Sequence, residues 1–161
     1  SYNIRTKHSD SAHISFETGP LDIEAIAWDP IQEHLVLMSK GRGGTVHTFM
    51  YSPHEPPILP LSSQYQFSIS PANGLNPERI TAMDISPDGK YIAVRSYIKL
   101  FLWLRSAEQS IPQALTFEPC IYPMPVQKQG ESIGFQDDGR SLWTISEGKN
   151  QPIIELRLLR E

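Results

Sequence analysis

The sequence predicts an all-β fold: a β-propeller segment of about three four-stranded antiparallel blades. Three observations carry that expectation. A two-strand unit recurs at residues 23–40, 80–97 and 130–147, and the copies superimpose without gaps. Glu24, Thr81 and Glu131 fall in register, 57 and 50 residues apart, and so do Lys40, Tyr97 and Glu147. Four short strands in roughly 40–50 residues is the size of a propeller blade, so the longer spacings put extra residues in loops. The turns are hairpin turns. In Ser86-Pro87-Asp88-Gly89, Pro87 presets φ for a type I turn, Asp88 suits the next position and Gly89 the left-handed one after it. Finally, no helical pattern with credible caps is evident anywhere in the chain.

Taken in order, residues 1–18 read as an incomplete blade, with strands at 1–7 and 12–17. Blades follow at about 19–76, 77–126 and 127–161, and the whole chain reads as one propeller domain or fragment. In the first blade, Gly41-Arg42-Gly43-Gly44 resembles a phosphate cradle, but no helix follows to supply a dipole, so it reads as a hairpin turn. Thr45 to Tyr51 is the third strand. Residues 53–60 carry four prolines and form an irregular loop, and Gln64 to Ser70 is the fourth strand. In the second blade, Ile98 to Leu104 (IKLFLWL) is apolar on both faces and must be covered on both. A loop at 105–112, an outer strand at 114–118 and a proline-rich connector at 119–129 follow. The third blade ends in a strand from Pro152 to Leu159. Trp28, Phe101, Trp103, Phe135 and Trp143 are expected to be buried between blades.

The composition narrows the function classes. With 161 residues, 39% hydrophobic and 20% charged, the chain has the make-up of an ordinary globular domain. A net charge of −4 without a basic stretch argues against a nucleic-acid partner. No apolar run approaches the roughly 20 residues of a membrane helix. The single cysteine, Cys120, excludes an internal disulfide and reads as a buried thiol. None of the five histidines has metal-ligand spacing, and no nucleophile elbow is present. The chain opens on Ser1, which suggests a processed or cut polypeptide with any signal peptide out of view. Three blades are fewer than the four to eight of closed propellers, and open strand edges invite pairing. Self-association, a missing half of the propeller, or capping by the N-terminal strands is therefore expected.

Several motifs carry a family resemblance: Asp22-Ile23-Glu24-Ala25-Ile26, Ser86-Pro87-Asp88-Gly89, Arg95-Ser96-Tyr97, Gln129-Gly130-Glu131-Ser132-Ile133 and Ser146-Glu147-Gly148-Lys149-Asn150. From about residue 20 onward the chain resembles bacterial β-propellers related to the propeller phytases and phytase-like, or esterase-like, domains. The resemblance implies Glu24, Glu131 and Glu147 as channel carboxylates able to hold calcium, with Lys40, Arg95 and Tyr97 beside them. It also implies a periplasmic or extracellular location. Two functions stay open: a non-enzymatic binding or scaffold module with a polar axial pocket, and a calcium-dependent phosphoester or ester hydrolase. Glu24 and Glu131 also have a plain structural reading, as partners of Lys40 or Arg95.

Overall fold

The computed structural model describes residues 14–17, 21–41, 45–52, 61–68 and 79–158. The expected strand at 1–7, the glycine turn at 42–44 and the proline loop at 53–60 lie outside the described residues. Three antiparallel sheets stand in sequence order. The first is β1 (Ile23–Asp29), β2 (His34–Ser39), β3 (Thr45–Tyr51) and β4 (Tyr65–Ser68). In the second are β5 (Ile80–Ile85), β6 (Tyr91–Ser96), β7 (Lys99–Leu104) and β8 (Cys120–Pro123). The third has three strands rather than four: β9 (Gly134–Phe135), β10 (Ser141–Thr144) and β11 (Ile154–Arg157). Each sheet is a meander, and the first strands β1, β5 and β9 lie side by side. That is the layout of consecutive propeller blades, with the first strand innermost.

The turns form as their residues dictate. Gly89 has φ +72°, its N–H donates to Ser86 O at 2.7 Å, and Asp88 Oδ1 accepts from Ser86 Oγ and Lys90 N. In the third blade Asp138 Oδ1 accepts from the N–H groups of Arg140 and Ser141, and Gly139 takes φ +65°. Both turns place a carboxylate where it closes the hairpin, so Asp138 serves the turn.

Strand alternation builds two seams. Ala25, Ala27, Val36 and Met38 of the first blade pack on Ile80, Met83, Ile85, Ile92 and Val94 of the second. The second blade's other face, with Ala82, Ala93, Leu100 and Leu102, packs on Ile133 and Leu142 of the third. Buried polar contacts cross the same seams. Arg105 Nη1 donates to Asp29 Oδ1 at 2.7 Å with both side chains fully buried. Asp84 Oδ2 accepts from Phe135 N at 2.6 Å, tying β5 to β9. Burial pushes the Asp84 carboxyl above its ordinary value, against the lowering effect of its two backbone donors.

The structure corrects several expectations. Residues 114–118 are not the outer strand. A short helix α1 (Ile111–Ala114) replaces the end of the expected loop and overlaps that stretch only at Ala114, begun by a capping box in which Ser110 Oγ accepts from Gln113 N and Gln113 Oε1 from Ser110 N. The outer strand is β8, inside the proline-rich connector. Cys120 lies on it and is exposed rather than buried. Trp103 is buried, with its indole N–H donating to Phe117 O at 2.8 Å, and Phe101 and Phe135 are half-buried. Trp28 and Trp143 are exposed, because they stand on the two outer faces of the arc, where no described blade packs on them.

Candidate functional site

Antiparallel pairing brings the start of each innermost strand to the end of its neighbour. Lys40 N donates to Asp22 O at 2.7 Å, and Glu147 N donates to Gln129 O at 2.7 Å in the equivalent place. Glu24, Thr81 and Glu131, with Lys40, Tyr97 and Glu147, therefore stand at one end of the three inner hairpins. The hairpin turns stand at the other.

Four of these residues join into a polar patch. Lys40 Nζ donates to Glu24 Oε1 at 2.8 Å within the first blade. Tyr97 Oη donates to Glu131 Oε1 at 2.9 Å, from the second blade to the third. The two pairs feel each other: Lys40 interacts electrostatically with Tyr97 and Asp22, and Tyr97 with Glu24. Burial acts to lower the Lys40 pKa, but the hydrogen bond and charge of Glu24 outweigh it, so the ammonium is held above its ordinary value. Burial and the hydrogen bond to Glu131 both raise the Tyr97 phenol. The patch thus gathers the Lys40 ammonium, the Tyr97 phenol and the side chains of Glu24 and Glu131, all half-buried. Beside Lys40, a shallow cavity of about 160 Å³ is lined by Leu21, Asp22, Ser39, Gly41, Thr45 and His47.

Arg95 lies beneath the patch rather than in it. Its side chain is fully buried and faces the third blade. Nε donates to Ser96 O at 3.1 Å; Nη1 donates to Gln127 Oε1, Ser132 O and Thr144 Oγ1. Burial draws its pKa down to about 10, with Glu131 and Tyr97 opposing, so it remains a cation at neutral pH. The guanidinium sits against Gly130: a Cβ there would fall 1.9 Å from Nη2. Gln127, Ser132 and Thr144 were not singled out by the sequence, and only their polarity beside a predicted inner strand could have flagged them. Thr81, the register-mate of both glutamates, donates from Oγ1 to Gly130 O at 2.9 Å.

Glu147 stands apart. It is exposed, and among the described residues no hydrogen bond or ion pair links its carboxylate to the other five. Among the described residues, no three His, Cys, Asp or Glu side chains are gathered closely enough to hold a metal ion. Glu24, Glu131 and Glu147 are therefore not assembled as a calcium ligand set, which needs six to eight oxygens. No described helix is long and apolar enough to cross a membrane.

No protein-family profile and no curated protein matches the sequence. Solved structures do match in shape. The chain is similar to a proposed 6-phosphogluconolactonase from Bacteroides uniformis, at a TM-score of 0.52 and 12% identity, over 84% of this chain and 36% of that one. It is also similar to Sqt1 of Saccharomyces cerevisiae, at a TM-score of 0.49 and 10% identity, over 94% of this chain and 40% of that one. The chain thus spans well under half the length of either. At such identities the first likeness is one of fold, and it agrees with what the sheets define: a β-propeller-like arc of three blades.

Proposed function

We propose that this arc is a binding module, and that its ligand site is the polar patch of Glu24, Lys40, Tyr97 and Glu131 at the axial end. The ligand is a small polar molecule offering both hydrogen-bond donors and acceptors, such as a sugar. One observation carries the reading: two separate pairs, Glu24–Lys40 and Tyr97–Glu131, come from three consecutive blades and meet within electrostatic reach on rigid strand ends. Charges of both signs without full burial suit a ligand that exchanges hydrogen bonds with the patch. The calcium-assisted hydrolase has no observation in its favour, since its carboxylates are not gathered.

The test is a thermal-shift and calorimetric screen with monosaccharides, inorganic phosphate and calcium. A sugar is expected to stabilise the wild type. Glu131→Gln should keep the melting temperature within a few degrees and lose the ligand-induced shift. Equal binding by wild type and Glu131→Gln would remove the site from this patch. A calcium-induced shift abolished by the same change would favour the metal reading instead.

A further inference from the structure

The hairpin turns stand at the opposite end of the arc from the polar patch, and they meet differently at the two seams. By register, Ile31 of the first turn corresponds to Asp88 of the second, and Gly89 to Gly139. At the first seam the Ile31 side chain lies against Gly89, where a Cβ would fall 2.6 Å from Ile31 Cδ1. At the second seam, among the described residues, a Cβ on Gly139 would meet nothing nearer than Ser86 Cβ at 3.9 Å. Asp88 accounts for the difference. It is polar and shorter than isoleucine, and it folds back into its own turn, accepting from Ser86 Oγ and Lys90 N. The space that Ile31 fills between the first two blades is therefore open between the second and third. A cavity of about 360 Å³ stands there, lined by both turns, Tyr91 and Leu158.

Tyr91 and Leu158 pack on the second core cluster, so they give the cavity an apolar side. Its rim carries Asp88, Lys90, Asp138 and Arg140. Both carboxylates are already engaged. Asp88 Oδ2 pairs with Lys90 Nζ at 3.1 Å, and Asp138 accepts from Arg140 N, Ser141 N and Ser141 Oγ. Arg157, another cation near Asp138, is held by Glu155 at 3.0 Å. Among the described residues, no hydrogen bond engages the Arg140 guanidinium. The capacity left over is thus donor capacity, on Arg140 and on the remaining N–H bonds of Lys90. We propose that this cavity binds a small organic carboxylate, its body against Tyr91 and Leu158 and its charge on Arg140 and Lys90. A guanidinium offers two parallel N–H donors that match a carboxylate. Asp88 and Asp138 already balance the two cations, which suits a singly charged guest over a dianionic phosphate monoester. The volume is that of a small-molecule site. The proposal does not depend on the axial patch, which lies at the other end of the inner hairpins.

The experiment is an NMR titration of the isotope-labelled chain with benzoate, beside benzamide and phenyl phosphate. Benzoate should shift the amide signals of Lys90, Gly139 and Arg140 saturably at millimolar concentrations. Benzamide has the same body without the charge and should bind about tenfold more weakly, as a charge-assisted contact is lost. Arg140→Gln alters an exposed side chain, so circular dichroism should show it folded, and benzoate should bind it more weakly by a similar factor. Arg140→Lys keeps the charge without the fork and should fall between the two. Glu131→Gln, which tests the axial patch, should leave benzoate binding unchanged, so the two sites stand or fall separately. Benzamide or phenyl phosphate binding as tightly as benzoate overturns the proposal. So does equal binding by wild type and Arg140→Gln, the lack of a saturable shift, or shifts confined to Lys40 and Tyr97.

Discussion

Arg105→Met should be the most damaging single substitution between the first two blades. Arg105 and Asp29 are 76 residues apart, meet at 2.7 Å, and neither side chain is exposed. Removing the guanidinium leaves the Asp29 carboxylate with one described donor, Ile31 N at 3.0 Å, while Oδ2 already has no hydrogen-bond partner. Breaking a buried pair by deleting one member costs about 3–5 kcal/mol, because the survivor is an uncompensated buried charge. For a domain of this size each kcal/mol moves the melting temperature by about 2–4 °C, so a fall of roughly 10 °C is expected. The loop should loosen too, since Arg105 Nε also donates to Gln109 O at 2.7 Å. Urea denaturation followed by circular dichroism gives the magnitude, and hydrogen exchange along β1 and β5 gives the place. Asp29→Leu added to Arg105→Met should recover much of the loss, because an apolar pair replaces the charges. A single variant that loses less than about 1 kcal/mol would refute the reasoning, since an exposed or water-bridged pair is worth no more than that.

Gly130→Ala should cost about 1–3 kcal/mol, read as a lower melting temperature, because its Cβ would overlap the buried Arg95 guanidinium, which cannot shift without giving up its hydrogen bonds to Gln127, Ser132 and Thr144. Stability should also fall in alkali. The Lys40 and Tyr97 pKa values are raised above 10.5 and 10.0, so the folded chain holds both protons more tightly than the unfolded one. Their contribution is whole below about pH 10 and drains as pH rises through the raised values; Lys40→Met with Tyr97→Phe should flatten that part of the profile.

The fold was legible because its signals are local. Ser86-Pro87-Asp88-Gly89 and Asp137-Asp138-Gly139 specify hairpins by backbone angle alone, and the three-fold register then follows by counting. The helix α1 was missed because its capping box, Ser110 to Gln113, encloses only one turn, and Pro112 reads as a loop residue. The exposure of Trp28 and Trp143 depends on which blades have neighbours, which no local pattern encodes. At the site, register placed Glu24, Lys40, Tyr97 and Glu131 at one end. Glu147 stands at that end too, but among the described residues no hydrogen bond or ion pair joins its carboxylate to theirs. Arg95 went astray: residues two apart share a face only within a strand, and β6 ends at Ser96. Tyr97 lies in the bend beyond and turns to the open end, while Arg95 points into the seam.

Thr81 holds the last element of the site without touching the ionic groups. The innermost strands are lined by small residues at equivalent places, Ala25, Ala82 and Ser132, as close approach near an axis requires. The position just before each is chemically free, and the three blades use it differently. Glu24 pairs inside its own blade, whereas Thr81 and Glu131 both reach across the second seam, Thr81 to Gly130 O and Glu131 to Tyr97. Thr81→Val keeps the shape and removes the hydroxyl, leaving the Gly130 carbonyl without that donor at a cost of about 1–3 kcal/mol. Since Gly130 precedes Glu131, the loss should also loosen the carboxylate that accepts from Tyr97. Part of what raises the Tyr97 phenol is that bond, so its titration, followed by absorbance, should move down toward 10.0 in the variant. A melting temperature that falls while the Tyr97 titration stays fixed would show that Thr81 only fastens the blades and does not position Glu131.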